Sequence, residues 1–164
     1  MRLGVNERDM ADLDEIYNTR ILELAGATTL GARLADADAT GTAHSKLCGS
    51  TITVDLKTHN GRVTGYGQTV KACLLGQAAA SVMAQQIVGS SFAELRQVAA
   101  DMRAMLKNDA PPPAGRFADL AVLEPVRAYK ARHASTLLVF DAVERALDEI
   151  EAKPAVNVAA SVLP

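Results

Sequence analysis

Cys48-Gly49-Ser50-Thr51-Ile52-Thr53-Val54-Asp55-Leu56-Lys57-Thr58-His59-Asn60-Gly61-Arg62 is the stretch that sets the fold class of this chain. Ile52, Val54 and Leu56 alternate with Thr51, Thr53, Asp55 and Lys57. A period of two is the pattern of a half-buried β-strand. Asn60-Gly61 follows, and both residues tolerate the positive φ of a two-residue hairpin turn. The run from Arg62 to Val70 then returns antiparallel. With Asn60 and Gly61 as the loop, His59 faces Arg62, Asp55 faces Tyr66 and Thr51 faces Val70. The same register carried outward sets Cys48 opposite Cys73. Facing residues in an antiparallel pair hold their Cβ atoms about 4.5–5.5 Å apart. A metal with sulfur bonds of roughly 2.3 Å bridges such a gap, and so does a disulfide after adjustment. Gly65 and Gly67 are the positions where a bulge would shift this register by one.

The chain has 164 residues, 49% hydrophobic and 22% charged, which suits one globular domain with a core of its own. We expect a single domain over 1–164, with its core at about 10–152 and loose ends at 1–8 and 154–164. A net charge of −2 and an aromatic content of 4% without tryptophan argue against nucleic acid as a partner. No apolar run is long enough for a membrane span, and the N-terminus lacks a signal pattern. The expectation is a soluble, cytoplasmic protein. Two cysteines in such a compartment are metal-binding, catalytic or simply buried more often than they form a structural disulfide.

Outward from the hairpin, Leu13, Ile16, Tyr17, Ile21 and Leu24 follow helical spacing, with Asp9 or Asp12 as the cap. Gly26 to Gly41 reads as a loop, and Ala43 to Leu47 as a first strand. After Cys73, the small-residue run from Leu74 to Met83 predicts a helix that stops before Gly89. Ser91-Phe92-Ala93-Glu94 is a capping box opening an amphipathic helix through Leu106. Pro111-Pro112-Pro113 marks an exposed loop. Phe117 to Leu123 reads as a turn or short helix, and Pro125 opens another short helical piece. A last helix starts after Arg132-His133 and buries Phe140, Val143, Leu147 and Ile150. The order predicts an α+β fold, with a small antiparallel sheet of about three strands packed against helices.

Chemistry concentrates on the cysteines. Cys73 stands where a helix begins, and helix N-termini favour a thiolate. Lys71 and Lys46, two residues before Cys73 and Cys48, would favour it further. The alternative reading makes both cysteines small buried hydrophobes. His59 belongs to the hairpin tip. His44 flanks Cys48, and His133 opens the last helix. Two thiolates and one imidazole would give three ligands of a tetrahedral metal and leave one position open. The chain has no P-loop, no G-x-G-x-x-G, no H-E-x-x-H and no G-x-S-x-G.

Cys48-Gly49-Ser50, Cys73 ahead of a small-residue helix, and Arg132-His133-Ala134-Ser135-Thr136-Leu137 together resemble the U-type iron–sulfur cluster assembly scaffolds. That family comprises IscU, SufU and the N-terminal domain of NifU. The likeness covers roughly Leu13 to Ile150, and the segment from Lys107 to Leu123 is similar to the insertion of SufU-type members. Two positions depart from the pattern. Ser50 stands where the family has Asp, and Ala134 stands where it has a third cysteine. The resemblance therefore implies Cys48, Cys73 and His133 as ligands of a transient [2Fe–2S] cluster or iron, or alternatively of zinc, with Ser50 a poorer fourth. It implies a non-enzymatic scaffold of SufE/NifU-like fold that accepts sulfur from a cysteine desulfurase. Recipient apo iron–sulfur proteins or carriers would take the product, and the chain would act as a monomer or weak homodimer. Thiolates suit both tasks, as soft ligands and as acceptors of persulfide sulfur. A degenerate member that binds no cluster and serves as an interaction or regulatory module is the alternative. A thiol enzyme using Cys73 as nucleophile ranks behind both, for lack of an orienting base.

Overall fold

The computed structural model of the chain describes residues 18–27 and 32–153. The loose ends expected at 1–8 and 154–164, and Leu13, Ile16 and Tyr17 of the first helix, lie outside them. Within the described residues, α1 spans Thr19–Gly26 and is capped by Asn18, whose Oδ1 accepts from the Ile21 N–H at 2.9 Å, and not by the expected Asp9 or Asp12, which lie outside the described residues. Ile21 and Leu24 are fully buried, as the helical spacing predicts.

Three antiparallel strands form one sheet in the order β1-β2-β3: Ala39–His44, Thr51–His59 and Arg62–Lys71. The expected α+β architecture is thus present. β1 lies earlier than the expected Ala43–Leu47, so the supposed loop up to Gly41 is partly strand. Ser45 to Ser50 is instead the connection between β1 and β2, closed by hydrogen bonds from Ser45 N to the Ser50 carbonyl and from Gly49 N to the Ser45 carbonyl.

Asn60 and Gly61 take the turn with φ of 52° and 76°. His59 pairs with Arg62 and Thr58 with Val63, as counted from the turn. Beyond Lys57 the register shifts by one. Asp55 faces Gly67 rather than Tyr66, and Thr51 faces Lys71 rather than Val70. Thr64 is the extra residue on β3, beside Gly65. The bulge corrects the first count and removes the register that had set Cys48 opposite Cys73. Cys48 stands in the β1–β2 connection, not on a strand.

Asp55 is buried and pins the chain ahead of β1 onto the sheet. Its carboxylate accepts from the Arg33 guanidinium at 2.5 and 3.2 Å, from Leu34 N at 2.9 Å and from Thr40 Oγ1 at 2.6 Å. Burial pushes this carboxyl up, but the hydrogen bonds from Arg33, Thr40 and Leu34 outweigh it and hold it below the usual range.

Helix α2, Leu74–Gln86, is nearly all core: Ala78, Ala79, Ala80, Ser81 and Val82 are fully buried. Small side chains allow close approach on several sides. α3, Phe92–Asn108, opens with the expected capping box of Ser91 and Glu94. A long 3₁₀ segment, Gly115–Ala128, buries Phe117, Leu120, Leu123 and Val126, and a short one, Lys130–Arg132, leads into α4. In the Pro-rich loop, Pro113 is buried rather than exposed.

α4, His133–Ala152, buries Phe140, Val143 and Leu147 along its length. It lies so close to β1 that a Cβ on Gly41 would stand 2.1 Å from the Ala142 carbonyl oxygen. Arg145 bonds the Thr42 carbonyl, and Lys153 the Asp38 carbonyl. α4 therefore ends beside the start of β1, and its first turn lies at the end of β1. α3 runs antiparallel to it: Arg96 bonds Asp148 at 2.8 Å and Arg103 bonds Asp141 at 2.6 Å. One end of the molecule thus collects the β1–β2 connection, the end of β3, the start of α2, the end of α3 and the start of α4.

Candidate functional site

Both cysteines stand at that end. Cys48 is exposed, so the buried-hydrophobe reading does not hold for it, while Cys73 is half-buried and packs against the core. Cys73 is the N-cap of α2, as the sequence predicts, and its thiol donates to Ser135 Oγ of α4 at 3.3 Å. Ser135 Oγ in turn bonds the Arg132 carbonyl at 3.2 Å. Cys48 Sγ lies 2.9 Å from Ser50 Oγ and 3.5 Å from Ser45 Oγ. The hydroxyls of Ser50 and then Ser45 hold its thiol below the ordinary value, with a smaller contribution from the Arg132 charge. The expected lysine effect of Lys46 does not operate on Cys48; the cation that acts is Arg132. Arg132 acts on one cysteine and Ser135 touches the other. Ala134 stands between them in sequence and is exposed.

His133 is buried at 8% exposure. Its Nε2 lies 3.1 Å from both the Val126 and the Arg127 carbonyl oxygens. Carbonyls only accept, so Nε2 carries a hydrogen, and in the neutral ring the lone pair then lies on Nδ1. A carbonyl fixing one ring nitrogen is the arrangement that orients a metal-binding histidine through the other. Ser50, the poorer fourth candidate, is buried and committed to the Cys48 thiol. His44 bonds Thr51 Oγ1 at 2.8 Å, and His59 sits at the hairpin tip beside Asn60. Among the described residues, no three His, Cys, Asp or Glu side chains stand close enough together to hold a metal ion. The fold sets Cys73 against Ser135 of α4 and Cys48 in the β1–β2 connection at the same end of the molecule, without a finished set of three donors among the described residues.

Electrostatics mark the same end. Lys46, Lys71, Lys107, Lys130 and Arg132 have no carboxylate within ion-pair reach among the described residues. Arg20, Arg33, Lys57, Arg62, Arg96 and Arg103 all pair with acids elsewhere. Leu47, 83% exposed, projects beside Cys48, and Leu74 is 38% exposed beside Cys73. Ser45 and Ser50 lie within three residues of Cys48, yet the sequence suggests Ser50 only as a poorer ligand and does not single out Ser45. Ser135 lies 62 residues from Cys73, and no local pattern announces it.

Residues 16–136 match the family described as the NifU-like N terminal domain. The chain is 24% identical over 135 residues to the iron–sulfur cluster assembly scaffold protein IscU of Thermotoga maritima, covering 82% of this chain and 94% of that protein. The crystal structure of a nitrogen-fixing NifU-like protein (N-terminal) from Brucella abortus superposes with a TM-score of 0.85 at 55% identity, over 87% of this chain and 99% of the other. A putative scaffold protein for the SUF system from Fervidobacterium islandicum shares the fold, with a TM-score of 0.75 at 19% identity, over 82% of this chain and 98% of the other.

Proposed function

We propose, for a chain that belongs to the NifU-like N-terminal domain family, that it is an assembly scaffold for iron–sulfur clusters, working as one domain. The cluster, or iron before it, is cargo rather than a resident group. Cys48 and Cys73 are the thiolate ligands, and His133 offers Nδ1 as the third donor. Cluster type is [2Fe–2S], with zinc as the alternative occupant. The observation that supports this reading is that Cys48 and Cys73 stand at one end of the molecule, with Cys73 bonded to Ser135 of α4, in a member of this family.

The chemistry follows from the thiols. Sulfur arrives as a persulfide on a cysteine desulfurase. The Cys48 thiolate attacks the outer sulfur, the donor's S–S bond breaks, and the donor leaves as a thiolate. Hydroxyls of Ser45 and Ser50 stabilise the attacking anion before the step, and the unpaired cations around it favour an anionic partner. Leu47 and Leu74 give the desulfurase an apolar margin to contact. Ala134 contributes no ligand, so the cargo is held by fewer protein donors and passes readily to recipient apo proteins or carriers.

The incomplete donor set favours a second reading, a degenerate member that docks on partners and binds no cluster. Iron and acid-labile sulfide per chain, measured on protein purified without oxygen, separate the two. Iron with sulfide in wild type, absent from Cys48→Ser/Cys73→Ser, is the expected result. Zinc without sulfide, lost in the same variant, leaves sulfur transfer at a zinc site. No metal in a folded wild-type chain overturns the scaffold reading in favour of the docking module.

A further inference from the structure

A cavity of about 640 Å³ opens between the C-terminal end of α3, the 3₁₀ segments and the first turn of α4. That volume suits a small organic molecule. Lys107, Arg127 and Lys130 bring three cations to its wall, against one carboxylate, Asp109. His133 and Ala134 line it at the start of α4. Neither lysine has an acid within ion-pair reach among the described residues. Arg127 is only partly engaged. Its Nη2 donates to the Ala110 carbonyl at 3.0 Å and stands 3.7 Å from Glu124. Its Nε is shut off from solvent without a hydrogen bond, and Asp109 Oδ1 lies 3.8 Å away, within ion-pair reach but beyond hydrogen-bond distance. Asp109 itself is 83% exposed, so water screens most of its compensation. Cations held on one concave wall repel one another, and an anion between them relieves that repulsion. A planar guanidinium flanked by two ammonium groups matches an oxyanion with charge at more than one place.

We propose that this cavity binds a small multivalent oxyanion, carrying carboxylate or phosphate groups, beside the cysteine end of the molecule. The inference goes beyond the scaffold reading and does not depend on it, because the binding is read on metal-free protein. Calorimetric titration of the metal-free full chain with citrate, and separately with pyrophosphate, at low ionic strength tests it. We expect one-to-one binding of at least one probe, with movement of the His133 ring resonances on saturation. Citrate alone assigns carboxylates, pyrophosphate alone assigns phosphates, and both assign the shared charge. Lys107 and Lys130 are exposed, so Lys107→Glu/Lys130→Glu leaves the core intact and should weaken binding by about tenfold or more. Lys71→Glu, a cation of the same end outside the cavity, should change affinity by less than about twofold. Absence of binding by both probes at about 10 mM, or an equal loss in Lys71→Glu and in the double variant, overturns the proposal.

Discussion

Two serine hydroxyls, rather than the lysine beside it in sequence, are the main influences that lower the Cys48 thiol below its ordinary value. Ser50 Oγ at 2.9 Å is the largest influence, and donation to the anion lowers the proton affinity of the sulfur. The sign is testable. In a Cys73→Ser background, the pH midpoint of Cys48 alkylation by iodoacetamide should fall below the ordinary thiol value of about 8.5. Ser50→Ala should move the midpoint back up. A midpoint unmoved by Ser50→Ala would remove the hydroxyl as the cause. At the same scale, Ala134 and His133 divide the first turn of α4. The methyl of Ala134 offers nothing to a metal, and the His133 ring is already held by two carbonyls. Cys48, Cys73 and His133 were recognisable as residue types in a familiar order. The hydrogen bond that gives His133 its tautomer comes from the 3₁₀ segment, whose placement no local pattern specifies.

The hairpin shows how an element is legible and yet misread by one residue. Asn60-Gly61 fixes the turn, and alternation fixes the two strands. The bulge at Thr64 depends on what packs against Gly65 and Gly67. A Cβ on Gly67 would meet the Ala32 carbonyl oxygen at 2.5 Å, so the segment ahead of β1 lies directly on β3. Asp55 fastens that segment, and it predicts a pH-dependent loss. The Asp55 carboxyl sits below its unfolded value, so its contribution is present above about pH 4 and disappears as pH falls through the folded value. Asp55→Asn should cost about 1–3 kcal/mol at pH 7 in urea unfolding. The difference from wild type should shrink toward zero in strong acid. A constant difference across that range would mean that the charge of Asp55 is not what fastens the segment.

At the scale of the whole molecule, a chain of net charge −2 gathers five cations without an acid partner among the described residues at the cysteine end, while Arg116, Arg145 and Lys153 elsewhere bond backbone carbonyls. Acids neutralise Arg96 and Arg103 along the α3–α4 contact, while Lys46, Lys71, Lys107, Lys130 and Arg132 remain at the end that carries the cysteines. An anionic aromatic disulfide should therefore react with Cys48 several-fold faster at about 0.01 M salt than at about 1 M, while a neutral maleimide changes little. Equal salt dependence for both reagents would deny the field. No helix among the described residues is long and apolar enough to cross a membrane. Sequence alone was enough for the strand pair, the turn, the capping box of α3 and the α+β class, because each rests on local periodicity or on residues close in the chain, and for the family, which rests on residue types at three separated places. Tertiary structure decided the rest: the bulge, the Ser135 contact of Cys73, the Arg132 charge beside Cys48 and the cationic cavity. Each of these depends on which distant segments the packed core brings to one end of the sheet, and side-chain chemistry there follows distance in space rather than distance along the chain.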